Sequence, residues 1–600
     1  MDVPEKEYCA DGRPSTARYC CILLGFLLVC YVGWRSPNHY TGSTPFWDSS
    51  GFLTVTYNMQ QGRILYKEIF DHKPPLFFFM LYFVTQGQDD LGVNAVRTLE
   101  KVNAAVLCGL AFVIVMLFLR SLGAAVVAGC LLAVVHFQEL IIRGGNLSEE
   151  YANTFFLFSV LFCCPQILAR RPKNALVMMG FFACCAALIK EPYCIMALPW
   201  MAYAALRAGK KGGGLPLRCA LLVLGVVLPL LPFVAYFISA GALSNWIDLY
   251  LIQFTYIEMG SDVHADRWEF LMRAAGVLNI SVLILCFAGL SLIKPDFVRR
   301  NHYFPWMAAL SYLFSLFASM GLTHRLLPNY LLTQIPPWAL LQGVGVAFIL
   351  SPLPFIPKRI TDSIKRWVHV KTGKITLAIL VAALALLLAM NFTRVSQTVG
   401  LYGMLGVFRI EEDAGYLAHS ARQLLEPAKV WKRPEVTTLD RLLPREVIRR
   451  DGVMIMHQRI ALYGPMHGLT APEGTKPYFG ISLGLHAMKP EYLDDCLRTL
   501  RNDRPAVLIG NRMYHFVIEH LKPALDEQYV YLGAYPLFPE RGESPDPEYT
   551  RVQHYWFVRK DLLPLVDREF ADRFNRDPKL LEKDEYNTVM NADTLEKNNS

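Results

Sequence analysis

The sequence contains few charged residues: they make up 18% of its 600 positions, whereas 53% of the positions are hydrophobic. Soluble proteins carry about 25% charged residues on average. The shortage is concentrated in the first two thirds of the chain, where long uncharged runs follow one another, while the last third has the composition of a soluble domain. This pattern predicts a polytopic α-helical membrane protein with an appended soluble domain.

Two further absences exclude other classes of protein. Of the 14 cysteines only Cys496 lies in the last third of the chain, so neither a disulfide framework nor a zinc finger is expected there. The sequence has no Gly-rich Lys-Ser/Thr loop and no dinucleotide-binding fingerprint in context, which argues against a nucleotide site. The net charge of +8 comes largely from short basic clusters between hydrophobic runs and does not indicate nucleic-acid binding.

Eleven apolar runs with few charged residues are predicted as membrane spans, although several are shorter than a straight span requires. Their approximate limits are residues 19–34, 98–119, 122–142, 151–169, 175–189, 193–206, 219–239, 274–293, 303–323, 328–350 and 375–391. This division predicts a cytoplasmic N-terminus over residues 1–18, a transmembrane domain over 19–391 and an extracytoplasmic domain with a polar tail over 392–600.

Short basic clusters indicate the orientation of these spans. They recur in every second loop, near residues 120, 170–173, 207–211, 294–300 and 358–374. Because such charge is retained inside the cell, a cytoplasmic N-terminus places all five clusters in the cytoplasm. The outer face then receives residues 35–97, 143–150, 190–192, 240–270, 324–329 and the C-terminal domain. The apolar run Pro74–Val84, about eleven residues long, is predicted as a half-embedded helix on that face.

The last third of the chain alternates between strand-like and helix-like runs, which predicts a small α/β domain. The expected strands are residues 453–456, 506–510, 529–532 and 554–558, and the expected helices are residues 491–500 and 515–521.

The first predicted outer loop offers two charged residues for chemistry. Asp48 follows an aromatic pair and can act as a general base on a hydroxyl, or it can cap a short surface helix. Lys73 lies in the segment 71–75 (Asp-His-Lys-Pro-Pro). Its ammonium group suits a phosphate, although it can equally anchor the loop among lipid headgroups.

The later predicted outer loops add further candidates. Residues 143–151 read Arg-Gly-Gly-Asn-Leu-Ser-Glu-Glu-Tyr, so Glu149 and Glu150 can stabilise the start of the following span. Two acids and Arg143 are more than a cap requires, and ionisable groups at membrane depth are functional candidates. Lys190 precedes a glutamate and can form a neutral pair with it or reach a lipid phosphate.

A final polar group contains His324, Arg325 and Tyr330, of which Arg325 is a second candidate phosphate ligand. None of these signals is specific alone, but the predicted topology brings all of them to one face of the membrane.

Three segments resemble the outer loops of bacterial GT-C glycosyltransferases, which are relatives of the protein O-mannosyltransferases and the lipid A aminoarabinose transferases. The first combines Asp48 with residues 62–66 (Gly-Arg-Ile-Leu-Tyr) and 70–76 (Phe-Asp-His-Lys-Pro-Pro-Leu). The second is residues 146–151 (Asn-Leu-Ser-Glu-Glu-Tyr), and the third is residues 329–332 (Asn-Tyr-Leu-Leu) ahead of a Pro-Pro pair. The resemblance extends over residues 19–391 in order and spacing.

The resemblance implies a GT-C fold of about eleven transmembrane helices with juxtamembrane helices in the first outer loop. Members of this family transfer a sugar from a polyprenyl-phosphate donor on the outer face of the membrane, with inversion of the anomeric centre. By the matching motifs, Asp48 would be the catalytic base, and Glu149 or Glu150 would be the second acidic residue. The residues expected to bind substrate are Tyr66, Asp71, His72, Lys73, Arg143, Lys190, His324, Arg325 and Tyr330.

The resemblance requires no cofactor, but it is compatible with a divalent metal ion held by Asp48 and either Glu149 or Glu150. Two departures from the family pattern stand out. Asn329 occupies a position where histidine is common, and the second loop carries glutamate where the aminoarabinose transferases have aspartate. These departures weaken a catalytic role at Asn329 and make aminoarabinose less expected as the sugar.

The expected partners are a polyprenyl-phosphate-linked hexose or pentose, a lipid, glycan or protein acceptor, and membrane lipids, with no nucleic acid. The expected location is the bacterial inner membrane, with the site and the C-terminal domain on the periplasmic side. Two alternatives stay open: a polytopic transporter or lipid flippase, and an O-antigen ligase or polymerase that uses a diphosphate-linked donor. The grouping of polar residues in outer loops rather than at mid-span favours an enzyme.

Overall fold

The computed structural model of the protein describes residues 16–39, 48–69, 71, 73–88, 91–137, 142, 144–248, 282–321, 328–351, 430, 437–455, 465, 494, 497–510, 515–535 and 554–574. Predicted features that lie wholly or partly outside these residues include residues 1–15 of the N-terminal segment, residues 138–141 of the span 122–142, the start of the span 274–293, the end of the span 303–323, the span 375–391, half of the helix 491–500 and the polar tail after residue 574. The described residues are mostly helical up to residue 351 and mix helix with strand from residue 437 onwards.

Fourteen α-helices lie in the described part of the chain up to residue 351. They are α1 (Thr16–Arg35), α2 (Asp48–Gln60), α3 (Pro75–Thr85), α4 (Val93–Leu119), α5 (Leu122–His136), α6 (Ser148–Phe162), α7 (Pro165–Arg170), α8 (Pro172–Ala187), α9 (Tyr193–Arg207), α10 (Leu215–Ser239), α11 (Val282–Leu292), α12 (Pro295–Arg300), α13 (Phe304–Gly321) and α14 (Ile335–Leu350). A 3-10 segment, Pro328–Thr333, precedes α14.

Three helical segments among the described residues are long and apolar enough to cross a membrane alone: Tyr19–Asn38, Val93–Leu119 and Leu215–Ser239. Five shorter apolar helices accompany them: Pro75–Thr85, Leu122–His136, Pro172–Ala187, Phe304–Ser319 and Ile335–Leu350. The chain is therefore a helical membrane protein. The count of eleven spans stays a prediction, because only three of the predicted spans, 19–34, 98–119 and 219–239, coincide with a described segment long and apolar enough to cross a membrane alone.

Proline explains where two predicted spans differ from the structure. The predicted span 151–169 is not one helix, because α6 ends at Phe162 and α7 begins at Pro165. The residue before a proline disfavours the helical conformation, and Cys164 is accordingly extended, with ψ of 135°. The predicted span 328–350 begins with the 3-10 segment, and its α-helix starts only at Ile335, next to two prolines. The helix predicted over residues 74–84 is confirmed as α3.

Glycine allows α8 and α10 to pack backbone against backbone. A β-carbon placed on Gly180 would lie 2.2 Å from the carbonyl oxygen of Leu222, and one placed on Gly225 would lie 2.1 Å from that of Val177. Helices in membranes associate through such small residues because lipid gives little hydrophobic drive for their association. The two glycines therefore set the closest approach of α8 and α10.

The first outer loop predicted from the sequence packs against the end of α10. The rings of Phe79 and Tyr236 lie 5.0 Å apart, and those of Tyr66 and Phe237 lie 5.4 Å apart. Lys67 Nζ donates a hydrogen bond to the carbonyl oxygen of Ala240 at 3.1 Å, just beyond the last turn of α10. The two ring contacts hold the segment between α2 and α3, which carries Asp71 and Lys73, against the helical part of the chain, whereas the Lys67 bond lies at the exposed surface.

The described C-terminal residues form a four-stranded sheet with the order β1-β2-β4-β3. Its strands are β1 (Val453–Ile455), β2 (Val507–Gly510), β3 (Tyr529–Tyr535) and β4 (His554–Arg559), and they confirm the four predicted strands. β1 and β2 pair in parallel, and β4 pairs antiparallel with both β2 and β3. Four further helices lie here: α15 (Thr438–Leu442), α16 (Arg445–Asp451), α17 (His515–Gln528), which includes the helix predicted over 515–521, and α18 (Arg568–Ala571).

Candidate active site

The backbone of Lys73 is held by two buried hydrogen bonds. Its N–H donates to Asp71 Oδ1 at 2.8 Å, and its carbonyl oxygen accepts from the Tyr66 hydroxyl at 2.6 Å. Tyr66 has a left-handed backbone, with φ of 65°, which is unusual for a residue with a large side chain. Pro74 and Pro75 then begin α3 immediately after Lys73. These constraints fix where the lysine side chain begins.

A second buried lysine lies in the turn between α8 and α9. Lys190 Nζ forms an ion pair with Glu149 Oε1 at 3.2 Å, and it lies 5.3 Å from the centre of the Tyr330 ring. The side chains of Lys190 and Glu149 are 8% and 1% exposed, so water screens this pair weakly. We refer to Lys73, Lys190 and Glu149 as the lysine cluster.

The two lysines of the cluster differ in how their charge is balanced. Among the described residues, no carboxylate forms an ion pair with Lys73, although its side chain is buried. Burial and the neighbouring Lys190 ammonium lower the pKa of Lys73, and Glu149, Asp48 and Asp71 offset this only in part. Lys73 is therefore a desolvated cation without a direct counter-ion.

Lys190 and Glu149 stabilise each other in their charged forms. Burial alone would lower the pKa of Lys190, but the Glu149 carboxylate raises it above the ordinary lysine value. Glu149 precedes the predicted span 151–169. Burial opposes its ionisation, but Lys190 and Lys73 hold its pKa below the ordinary glutamate value. The pair therefore stays ionised at neutral pH.

The structure separates Glu149 from Glu150, which the sequence could not do. Consecutive residues of an α-helix point about 100° apart. Glu150 Oε1 accepts a hydrogen bond from the backbone N–H of Leu147 at 2.8 Å, and so caps the first turn of α6. Burial and the nearby Glu100 carboxylate raise the pKa of Glu150 well above its usual value. The helix-cap explanation therefore applies to Glu150, and Glu149 belongs to the lysine cluster.

Asp48 is the first residue of α2 and is half-buried. It is close enough to Lys73 for the two charges to interact. An acidic residue in the first turn is favoured by the helix dipole. The position therefore fits both interpretations drawn from the sequence, a helix-start carboxylate and a base near the cation.

Arg97 and Glu100 of α4 hold the turn that leads into α6. Arg97 Nη1 donates to Glu100 Oε2 at 2.9 Å and to the carbonyl oxygen of Gly144 at 2.7 Å. The other Glu100 oxygen accepts from the backbone N–H of Asn146. The sequence did not single out this pair, because it falls at the start of a predicted span. An arginine and a glutamate three residues apart beside an apolar run could have indicated a buried ion pair.

Uncharged side chains behind the lysine cluster were also missed. The Tyr193 hydroxyl lies 2.6 Å from Asn153 Oδ1 and 3.2 Å from the carbonyl oxygen of Glu149. Asn153 Nδ2 lies 2.9 Å from the carbonyl oxygen of Leu332 and 3.0 Å from His136 Nε2. Single polar residues inside apolar runs gave no specific signal in the sequence.

Four of the predicted site residues fall outside the part of the chain that the structure describes. His72, Arg143, His324 and Arg325 lie outside the described residues. Within the described residues, no three His, Cys, Asp or Glu side chains are grouped so that they could hold a metal ion. Because Glu150 caps α6, Asp48 and Glu149 are the remaining members of the metal ligand set expected from the sequence, and that metal stays a prediction.

No protein-family model matches the chain, and no curated protein matches it. Among solved structures, it is similar to ArnT from Cupriavidus metallidurans bound to undecaprenyl phosphate, with a TM-score of 0.52 at 15% identity over 91% of this chain and 98% of that chain. ArnT from the same organism in the apo state gives a TM-score of 0.49 at 14% identity over 90% and 98% of the two chains. The apo oligosaccharyltransferase of Archaeoglobus fulgidus gives 0.43 at 10% identity over 93% and 78%. The likeness to lipid-bound ArnT shows that the chain shares the fold of that structure.

Proposed function

We propose that this chain, a membrane protein with a GT-C-type fold, is an inverting glycosyltransferase that moves a sugar from a polyprenyl phosphate to an envelope lipid, glycan or protein. The observation that carries the proposal is the contrast within the lysine cluster. Lys190 is neutralised by Glu149 at 3.2 Å, whereas Lys73 is buried without an ion-paired carboxylate among the described residues.

A lipid phosphate would give Lys73 the negatively charged partner that no described carboxylate provides. The Lys73 side chain meets Lys190, another cation, and no opposite charge among the described residues replaces the water that burial removes, which is unfavourable for an ammonium group. A phosphate on a membrane lipid carries negative charge and reaches the protein from within the bilayer. The ArnT structure of similar fold contains bound undecaprenyl phosphate, which supports this class of ligand. We therefore assign Lys73 to the donor phosphate.

The transfer step follows from the charges around Lys73. The acceptor hydroxyl oxygen attacks the anomeric carbon, the bond from that carbon to the phosphate oxygen breaks, and the electron pair leaves with the phosphate. Lys73 stabilises the charge that develops on the departing phosphate. Asp48 accepts the hydroxyl proton as general base. Attack opposite the leaving group inverts the anomeric centre.

Glu149 is the second acidic residue of this proposal, in preference to Glu150. It stays ionised beside both lysines, so it sets the charge of the cluster and holds Lys190 in place. Glu150 caps α6 instead. We place this site, and the domain over residues 392–600, on the periplasmic side of a bacterial inner membrane, in keeping with the basic clusters of the predicted cytoplasmic loops.

The proposal is tested by mass spectrometry of envelope lipids and glycans from a deletion strain. The strain is complemented with the intact protein, with Asp48→Asn, or with Lys67→Met as the matched control, since Lys67 lies in the same loop but is exposed. One sugar should be missing from a defined molecule in the deletion strain, and only the intact protein and Lys67→Met should restore it.

Purified protein separates the two roles. Asp48→Asn should still bind undecaprenyl phosphate, whereas Lys73→Met should not. If Asp48→Asn restores the missing sugar in cells, Asp48 is a helix-start residue rather than a base. A transporter or flippase that binds the lipid without making a glycosidic bond would then explain the site better.

A further inference from the structure

We infer that Asn153 is a positioning residue that holds the elements around the lysine cluster in register. Asn153 lies four residues after Glu149 on α6, and therefore on the same face of that helix. Its side chain is buried, and it hydrogen-bonds with three other elements: α9, the 3-10 segment before α14, and the end of α5.

The hydrogen bonds fix the orientation of the Asn153 amide. The carbonyl oxygen of Leu332 can only accept, so the amide nitrogen must face it, at 2.9 Å. The amide oxygen then faces the Tyr193 hydroxyl, which donates to it at 2.6 Å. The second hydrogen of the nitrogen points to His136 Nε2 at 3.0 Å, so this ring nitrogen must be the acceptor. His136 is therefore neutral, with its proton on Nδ1.

Asparagine is the residue that meets all these requirements at this length. Aspartate would place a carboxylate oxygen against the Leu332 carbonyl oxygen. Alanine would leave the Leu332 oxygen without this donor and the Tyr193 hydroxyl with only the longer contact to the Glu149 carbonyl oxygen at 3.2 Å, and a buried polar group that loses its partner is destabilising.

The network controls the surroundings of Lys190. Tyr330, whose ring lies 5.3 Å from Lys190 Nζ, is two residues before Leu332 in the same 3-10 segment. Glu149, which pairs with Lys190, is tied through its carbonyl oxygen to the Tyr193 hydroxyl. If the 3-10 segment separates from α6, Lys190 loses the tyrosine ring on one side, and the charge balance near Lys73 changes. The consequence for lipid-phosphate binding rests on the proposed function, whereas the positioning of residues 328–333 does not.

The test is hydrogen–deuterium exchange of the full chain in lipid nanodiscs, measured for Asn153→Ala and for a matched control. The control is Ser159→Ala, because Ser159 is also buried on α6 and its hydroxyl donates to a carbonyl oxygen, that of Met179, at 3.1 Å. Asn153→Ala should speed exchange over residues 328–334 by about tenfold, as expected for the loss of a buried hydrogen bond. Ser159→Ala should leave that segment at the wild-type rate.

A second variant covers the case in which Asn153→Ala does not fold. Asn153→Asp keeps the size of the side chain, but its ionised carboxylate has no hydrogen for Leu332, whereas the protonated carboxyl has one. Burial at this position raises the carboxyl pKa above the ordinary aspartate value of about 3.9, so, after correction for intrinsic exchange, protection of residues 328–334 should return as the pH falls from about 8 to about 5. The wild-type segment should show no such change.

The inference is overturned if Asn153→Ala leaves residues 328–334 at the wild-type rate, or if Ser159→Ala accelerates them equally. It is also overturned if Asn153→Asp shows the same protection at both pH values. Binding of undecaprenyl phosphate separates this inference from the proposed function. Faster exchange in Asn153→Ala, with no lipid binding by the wild-type protein, would refute the function alone. Lipid binding with unchanged exchange would refute the positioning role alone.

Discussion

The two buried lysines should respond in opposite ways to methionine, which keeps most of the side-chain length and removes the charge. In Lys190→Met, the Glu149 carboxylate loses the partner that lies 3.2 Å away and stays 1% exposed. Removing one partner of a buried ion pair costs about 3–5 kcal/mol, because the other charge is left uncompensated. Lys190→Met should therefore unfold at a clearly lower temperature than the wild-type protein.

Lys73→Met should instead be as stable as the wild-type protein or more stable when no ligand is bound. The substitution removes a desolvated cation that forms no ion pair with a described carboxylate, and it ends the repulsion between Lys73 and Lys190. The same change should abolish stabilisation by undecaprenyl phosphate. A ligand at about 100 times its Kd adds about 2.7 kcal/mol to the wild-type protein, and Lys73→Met should lose most of this.

Thermal unfolding followed by the fluorescence of the 10 tryptophans measures both effects, with and without undecaprenyl phosphate. Lys67→Met serves as the control and should behave like the wild-type protein in lipid response. The reasoning is refuted if Lys73→Met without ligand is destabilised as strongly as Lys190→Met. It is also refuted if the lipid raises the unfolding temperature of Lys73→Met as much as that of the wild-type protein.

Three further predictions follow from the same structure. Burial lowers the pKa of Lys73, so the unfolded chain binds more protons than the folded chain at pH values between this lowered pKa and the ordinary lysine value of about 10.4. Ligand-free stability should therefore rise with pH through that window while lipid-phosphate affinity falls. Thermal unfolding and lipid binding measured up to about pH 10.4 should show both trends, and Lys73→Met should show neither. Glu149→Gln should reduce the transfer rate by at least about tenfold, because Lys190 loses its buried counter-ion. Glu150→Gln should stay near the wild-type rate, since a neutral amide still accepts the helix-capping hydrogen bond. Equal losses in a transfer assay would contradict this assignment. Gly180→Ala should destabilise the protein by about 1–3 kcal/mol, since its new methyl group would lie 2.2 Å from the backbone of α10. Gly289→Ala is the control and should be neutral in the same unfolding measurement, because no atom lies within 4 Å of the added methyl group.

The sequence was sufficient for features that depend on periodicity and charge. The four strands of the C-terminal sheet fall where alternating apolar residues predicted them. The charge-based topology assigned Lys73 and Lys190 to one face, and the structure places these residues, far apart in the chain, close enough to interact. The fold expected from the loop motifs agrees with the similarity to lipid-bound ArnT.

Features that depend on direction within a helix could not be predicted. Glu149 and Glu150 are identical in type and adjacent, and only the rotation of α6 sends one toward Lys190 and the other to the helix cap. The break in a predicted span at Pro165 could not be predicted either, because a proline can kink a continuous helix or end it, and here it ends α6 and begins α7. Asn153 carries no charge and belongs to an apolar run, so its network becomes visible only when four elements meet.

The shortness of the helices beside the lysine cluster has a consequence for the surrounding bilayer. α8 and α9, which flank Lys190, contain 16 and 15 residues. At about 1.5 Å per residue they extend only about 22–24 Å, whereas the hydrocarbon layer of a membrane is about 30 Å thick. The bilayer next to these helices must become thinner, or the helix ends must lie below the level of the headgroups. Under the proposed function, the distance between a donor phosphate and the buried side chain of Lys73 would then depend on local membrane thickness, and lipid composition would become a determinant of donor binding.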